Sequence, residues 1–268
     1  MTAATTVSNS SSLAPPRTPL RVLTILEILA SHPRGLSLSQ LSKILGAPKT
    51  STFHLVRALI GTGHVTETEN HYRLGPLAYK LGAMITHEFG ASRDFKPTMQ
   101  ALCSRTLETI MLGCLDRAEK KSVQLDMVQP DVPVRFVGTL GILRPLYCTA
   151  VGLALLSFQD DAFIESYLRS ETFVRRTQFT IAEPNELRRL IGKIKQNGVA
   201  ISVALWELTA GGIAAPVFDQ AGKVDYCISV AGPADRIASH KDEIAVAAHA
   251  AGRALSSMFG YMGPYPGA

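Results

Sequence analysis

The sequence predicts an α+β chain of two unequal parts: a small helical module closed by a β-hairpin, then a larger antiparallel sheet flanked by helices. Three observations predict it. The chain has 268 residues, and at about 150 residues per domain that length suggests two domains. The charge is one-sided: the net charge is +5, and residues 1–80 hold eight Lys or Arg against three Glu, so the front third carries the whole excess. Apolar residues recur at helical spacing through Ile60 and thereafter mix strand alternation with helical stripes. At 46% hydrophobic and 18% charged, the composition supports a packed core and argues against wholesale disorder.

Several classes are set aside at once. No apolar run approaches the roughly 18 residues of a membrane span. The N-terminus lacks a basic start followed by an apolar stretch, so no secretory signal is expected, and a cytoplasmic location is. The four cysteines (Cys103, Cys114, Cys148 and Cys227) are widely spaced, unlike a zinc site or a disulfide framework, and are expected to be ordinary half-buried thiols. Neither a metal nor a cofactor is expected, and no membrane partner.

Taken in order, residues 1–16 are Ser/Thr/Ala/Pro-rich and uncharged, the composition of a disordered tail. From Pro19 the spacing is helical, with Leu20, Leu23, Leu26 and Ala30 on one face and Leu29 beside them. Pro33 and Gly35 end that helix. Ser37 and Gln40 have capping-box spacing. The second helix is expected to bury Leu38, Leu41, Ile44 and Leu45 and to stop at Gly46. Pro48 suits the first turn of a third helix. Two short helices across a glycine turn are the signature of a helix-turn-helix.

The third helix divides into two faces. Phe53, Val56 and Ile60, with Leu55 and Leu59, are expected inside. Thr50, His54 and Arg57 line the other side, with Lys49 and Ser51 near the start. A helix that enters the major groove needs this division: one stripe holds it to its domain, the other offers donors to phosphates and base edges. The first-turn amides near Lys49, Thr50 and Ser51 suit a phosphate. These residues, with Arg21 on the first helix, are the candidate DNA contacts. Val65, Tyr72 and Leu74 alternate with polar residues around Glu69-Asn70, which predicts a hairpin. A hairpin after a recognition helix is a wing, and Arg73 on it is a further candidate contact. Glu67 and Glu69 would repel phosphate, so the wing tip is expected to point away. Residues 17–76 are therefore expected to form a winged helix-turn-helix domain. Leu77, Leu81, Met84, Ile85 and Phe89 make an amphipathic linker helix over 77–92, suited to a seam between two copies.

The larger part, 93–260, is expected to hold a helix over Pro97–Leu107 and strands over Thr109–Leu115, Ser122–Val128 and Pro133–Val137. An apolar helix over Thr149–Phe158 and an amphipathic one over Glu186–Gln196 follow. Further strands are expected over Ala200–Leu205, Gly212–Phe218 and Lys223–Ser229, and a closing helix over Lys241–Met258, with 261–268 as a tail. Asp116, Asp126, Asp131, Asp160 and Asp161 have no His at a telling spacing. There is no GxSxG, HExxH or phosphate loop. Catalysis is thus the weaker class, and the chain is not expected to be an enzyme. A ligand-independent architectural DNA binder is the other alternative, which ligand-dependent thermal shifts would argue against.

These residues resemble the IclR family of bacterial transcriptional regulators. The resemblance rests on PLRVLTILEILA, GLSLSQLSKILGAPKTSTFHLVRAL and YRLGP in the first part. In the second it rests on RPLYCTAVGLALLSF and GGIAAPVFDQAGKVDYCISVAGPADRI. It runs from about Pro19 to Phe259. It implies a winged helix-turn-helix joined by a helix to a GAF-like effector-binding domain, binding to double-stranded operator DNA near catabolic genes as a homodimer or tetramer, and small organic acid effectors. By position, the family's recognition start falls on Pro48, Lys49, Thr50 and Ser51. Its usual His-Arg is Phe53-His54 here, which changes the operator expected rather than the binding.

The family's pocket lies around the TAVG turn and the strands matching IAAPV and ISVAGP. That places Thr149, Ala150, Val151, Gly152, Ser202, Trp206, Gly212, Ile213 and Ser229 at a candidate effector site. The physics agrees at one point: free N–H groups and the positive end of a helix dipole at Thr149–Gly152 would attract a carboxylate. Compared with the family, polar groups give way to Leu153, Gly212 and Ala231, and an acidic stretch gives way to Ser202-Val203-Ala204-Leu205-Trp206. A less polar effector, an aromatic or alkyl carboxylic acid, is the expectation.

Overall fold

The computed structural model describes residues 17–91 and 95–267, which fall into two compact units, one within the first 92 residues and one in the remainder. The expected tail over 1–16 lies outside the described residues. So do the side chains of Ile85 and Phe89.

The first unit runs α1 (Arg17–Ala30), α2 (Leu38–Leu45), α3 (Lys49–Gly61), β1 (Val65–Thr68), β2 (His71–Leu74) and α4 (Pro76–Ala91). Local chemistry sets most of its boundaries. Ser37 Oγ accepts from the Gln40 N–H, and the Gln40 side chain accepts from the Ser37 N–H, closing the capping box at the start of α2. Gly46 stops α2 in the left-handed region, at φ 62°. Glu69 and Asn70 take φ of 51° and 60°, which closes the two-residue hairpin in the sense that matches strand twist. Leu36 and Tyr72 exchange backbone hydrogen bonds of 3.0 and 2.8 Å, tying the wing to the segment before α2. The core is Ile25, Leu29, Leu41, Val56, Val65 and Tyr72.

Three expectations of facing are corrected here. The buried side of α1 is Ile25, Ile28 and Leu29, whereas Leu20 and Leu23 are 50% and 58% exposed. On α2 Ile44 is 50% exposed, and on α3 Phe53 is 41% exposed while Thr52, Val56 and Leu59 are buried. The cause is the same in each case. These helices are apolar on more than one stripe, and only the neighbours they pack against select which stripe is covered.

The second unit runs α5 (Lys96–Thr106), β3 (Thr109–Asp116), β4 (Lys121–Val128), β5 (Leu143–Pro145), α6 (Ala150–Ser157), α7 (Asp161–Ser170), α8 (Pro184–Asn197), β6 (Ala200–Val203), β7 (Ala210–Phe218), β8 (Val224–Pro233), α9 (Ala234–Ser239) and α10 (Lys241–Met258). Its strands form one antiparallel sheet in the order β5-β4-β3-β8-β7-β6. Both faces are covered. A side chain at Gly212 would meet Ala150 of α6, whereas Gly252 of α10 lies against Ala215, three residues further along the same strand. This is why the middle of β7 and β8 is buried almost without interruption rather than alternating.

The expected strand over Pro133–Val137 is absent, and Leu143–Pro145 takes the third position instead. Pro130 and Pro133 carry no N–H for a ladder. The segment is held by other means: Thr109 Oγ1 donates to the Phe136 carbonyl at 2.6 Å, and Arg236 Nη2 donates to the Val134 carbonyl at 3.0 Å. Helices α7 and α9 were not expected. The signal for α7 was present in Asp160, whose side chain accepts from the Phe163 N–H at 2.7 Å as an N-cap. Of the closing residues 261–268, Tyr265 is buried, and its hydroxyl donates to the Pro216 carbonyl at 2.7 Å.

Candidate nucleic-acid interface and effector cavity

On the first unit the helix that follows the glycine turn presents Lys49, Thr50, His54 and Arg57 exposed and Ser51 half-buried. Thr52, Val56 and Leu59 bury the opposite side. Thr52 Oγ1 donates to the Pro48 carbonyl at 3.0 Å, so its hydroxyl is spent inside the domain. Phe53 stands on the outward side with its ring 6.0 Å from that of His54, edge on. It is a surface group that sequence reasoning had placed in the core. Arg57 lies 4.0 Å from Glu67 of the wing, and both are exposed, a pair that salt screens readily. Arg73 Nε donates to the Arg34 carbonyl at 3.0 Å, which orients its guanidinium at the base of the wing. Arg21 is half-buried on α1.

On the second unit a cavity opens at the start of α6. Its enclosed volume is about 70 Å³, and it opens to solvent. Thr149 caps α6: its Oγ1 accepts from the Gly152 N–H at 3.0 Å, and Thr149 itself lines the cavity. The first-turn amides of Ala150 and Val151 have no acceptor within the helix. Ser229 on β8 and Ser202 on β6 reach the same space, and their hydroxyls donate to the Met111 and Cys148 carbonyls at 3.4 Å. Gly212 and Ala231, small where larger side chains would fill the volume, are part of the wall. Trp206 lines it half-buried, with the Arg176 guanidinium 3.6 Å and that of Arg144 5.0 Å from its ring centre. These are cation–π distances.

Seven of the nine sequence-predicted effector residues therefore meet in this one space: Thr149, Ala150, Val151, Ser202, Trp206, Gly212 and Ser229. Gly152 and Ile213 do not line it. Ile213 is fully buried, and a Cβ at Gly152 would sit 2.5 Å from the Leu146 backbone, so that glycine serves the close approach of α6 to its preceding loop. Sequence reasoning missed Gln124, Arg144 and Arg176. Gln124 was visible only as one of the alternating residues of β4, and Arg144 only as part of RPLY. Their meeting depends on β4 and β5 pairing across a long loop.

The thiols near the site are chemically quiet. Burial pushes Cys148 up to about 11 and pushes Cys227 up as well, so at neutral pH both are neutral packing groups. Among the described residues no group of three His, Cys, Asp or Glu side chains is placed to hold a metal ion. No helix of the described residues is long and apolar enough to cross a membrane.

Comparison with known proteins identifies both units. Residues 18–69 match the IclR helix-turn-helix domain, and residues 84–257 match the domain described as bacterial transcriptional regulator IclR C-terminal. The HTH-type transcriptional regulator KipR of Bacillus subtilis is 28% identical over 217 residues, covering 81% of this chain and 86% of KipR. An IclR transcriptional regulator from Alicyclobacillus acidocaldarius superposes with a TM-score of 0.78 at 24% identity, covering 91% of this chain and 99% of that one. An IclR homologue from Microbacterium hydrocarbonoxydans, crystallised in complex with 4-hydroxybenzoate, superposes with a TM-score of 0.71 at 21% identity, covering 88% of this chain and 99% of that one.

Proposed function

The chain belongs to the IclR family of bacterial transcriptional regulators, and on that premise we propose that α3 reads double-stranded operator DNA while the cavity beside α6 takes a small organic carboxylic acid that alters the grip. The observation that carries the DNA half is the division of α3, with Lys49, Thr50, His54 and Arg57 outward and Val56 and Leu59 buried. Lys49 and the first-turn amides take a phosphate, and His54 and Arg57 reach base edges. Phe53 beside them suits the methyl group of a thymine.

The effector half rests on the meeting of the α6 N-terminus, four hydroxyl side chains, one amide and one guanidinium around an otherwise apolar space. Such a site suits an acid with an apolar body. The 4-hydroxybenzoate complex of the structural neighbour supports a ligand of this size and kind. An effector changes DNA affinity only if it binds one state of the regulator better than the other. A homodimer on paired half-sites is the assembly this reading supposes. The exposed Leu77, Tyr79, Leu81 and Met84 of α4 offer apolar surface for it. The genes controlled are expected to be catabolic, and the protein to act in the cytoplasm without catalysis of its own.

Gel shifts on the DNA upstream of its own gene test the reading. Lys49→Ala is expected to weaken binding on every sequence and to lower the slope of log affinity against log salt by about 1. His54→Ala is expected to relax base preference instead. Unchanged shifts in both variants would remove α3 from the interface. A panel of aromatic and alkyl acids, added to the same assay, tests the effector half.

A further inference from the structure

We propose that Gln124 determines effector specificity, and that the acid bound carries a hydroxyl group on its apolar body, remote from the carboxylate. The proposal rests on the reading of the cavity as an organic-acid site and deepens it. Gln124 is 4% exposed and forms part of the cavity wall, and its Oε1 has no hydrogen-bond partner. Among the described residues only one other buried side-chain atom, Ser157 Oγ, is in that condition, and Ser157 does not line the cavity. Buried polar groups are satisfied in nearly all native structures, so an orphan in a binding wall points to a partner that arrives with the ligand.

The chemistry of that partner follows from the atom. An amide oxygen only accepts, so the ligand must bring a donor. Of the four hydroxyls on the wall, those of Thr149, Ser202 and Ser229 donate to the carbonyls of Pro145, Cys148 and Met111, and that of Thr139 makes no hydrogen bond to Oε1. The opposite end of the ligand is set by charge. Arg144 is the one charged side chain among the lining residues, and it suits a carboxylate. Arg144 pairs directly with Ser122 across β5 and β4, and Gln124 lies two residues beyond Ser122 on the same face. The two are thus diagonal cross-strand neighbours, about 7–8 Å apart along the backbone. Both stand on one face of the sheet, so a single ring substituted at opposite ends offers one group to each. Met111, Phe136 and Val151 supply the apolar wall between.

Calorimetric titration of the full chain with 4-hydroxybenzoate, benzoate and 4-methoxybenzoate tests this. The wild type is expected to bind the hydroxylated acid at least tenfold more tightly than the other two, because a site built for a hydroxyl leaves its own acceptor unpaired with the analogues. Gln124→Leu, checked for folding by thermal unfolding, is expected to erase that preference while keeping or improving benzoate binding. Equal wild-type affinity for benzoate overturns the role of Gln124 and leaves the cavity reading standing. So does a preference that survives in Gln124→Leu. Tighter binding of 4-methoxybenzoate shows that the amide nitrogen faces the ligand and overturns the donor assignment. Binding of none of the three overturns both this proposal and the aromatic-acid reading of the cavity. Should Gln124→Leu fail to fold, the wild-type ranking of the three acids decides.

Discussion

At the scale of single residues, the interior of the second unit is organised around one buried charge. Glu108 is 2% exposed at its side chain and is held by a two-pronged contact from Arg236, itself 37% exposed, with Nη2 to Oε2 at 2.8 Å. The hydrogen bond that Arg236 donates to Glu108 in turn pushes the guanidinium's pKa further up. The partners are unequal because one can be hydrated alone and the other cannot. Arg236→Ala is therefore expected to cost roughly 3–5 kcal/mol, since it strands a buried carboxylate. Glu108→Gln is expected to cost about 1–2 kcal/mol, because the freed guanidinium keeps access to water. Urea unfolding of the two variants checks the order, and a reversed order would mean that the carboxylate is not stabilised by this pair. Arg236 also holds the Val134 carbonyl, so its loss loosens the segment that carries Phe136 to the cavity wall.

At the scale of elements, the helix-turn-helix depends on two ends rather than on long helices. α2 has only eight residues, too few to persist alone in water. It is sustained by Leu41 in the core, by the Ser37–Gln40 capping box and by the left-handed stop at Gly46. Ser37→Ala is expected to cost about 1 kcal/mol through the lost cap. Gly46→Ala is expected to cost about 1 kcal/mol through backbone strain alone, because nothing lies within 4 Å of a Cβ built there. Thermal unfolding of both variants measures this. A clearly larger loss for Gly46→Ala would point to a contact that the present geometry does not contain. On the other unit the same logic applies to α6, whose N-cap Thr149 both starts the helix and places the first amides at the cavity.

At the scale of the whole molecule, charge separates the two units. The excess of +5 lies within the first 80 residues, and the remainder is balanced. Operator affinity is expected to fall steeply with salt, with several phosphates neutralised, while affinity for a small acid changes with a slope no greater than about 1. Parallel titrations over a range of salt concentration measure both, and equal slopes would sink the division of labour. The DNA-binding half was largely legible in advance, because caps, glycine stops and hairpin turns are local devices written within a few residues of one another. Seven of the candidate effector residues, named through the family resemblance rather than by local devices, line one cavity. What sequence reasoning missed is of another kind. Phe53, Leu20 and Leu23 were assigned to a core because periodicity shows that a helix has an apolar stripe without saying which stripe its neighbours cover. Pro133–Val137, expected as a strand, stays out of the sheet because Pro130 and Pro133 lack the N–H groups a ladder needs. By itself, then, the sequence determined the order of the elements, the two-part division of charge and the chemistry available at each helix end, since all of these depend on near neighbours. Tertiary structure alone decided that Gln124 and Arg144 join Trp206 on one cavity wall and that Arg176 lies over the Trp206 ring, because strand pairing and loop closure bring them together from distant parts of the chain.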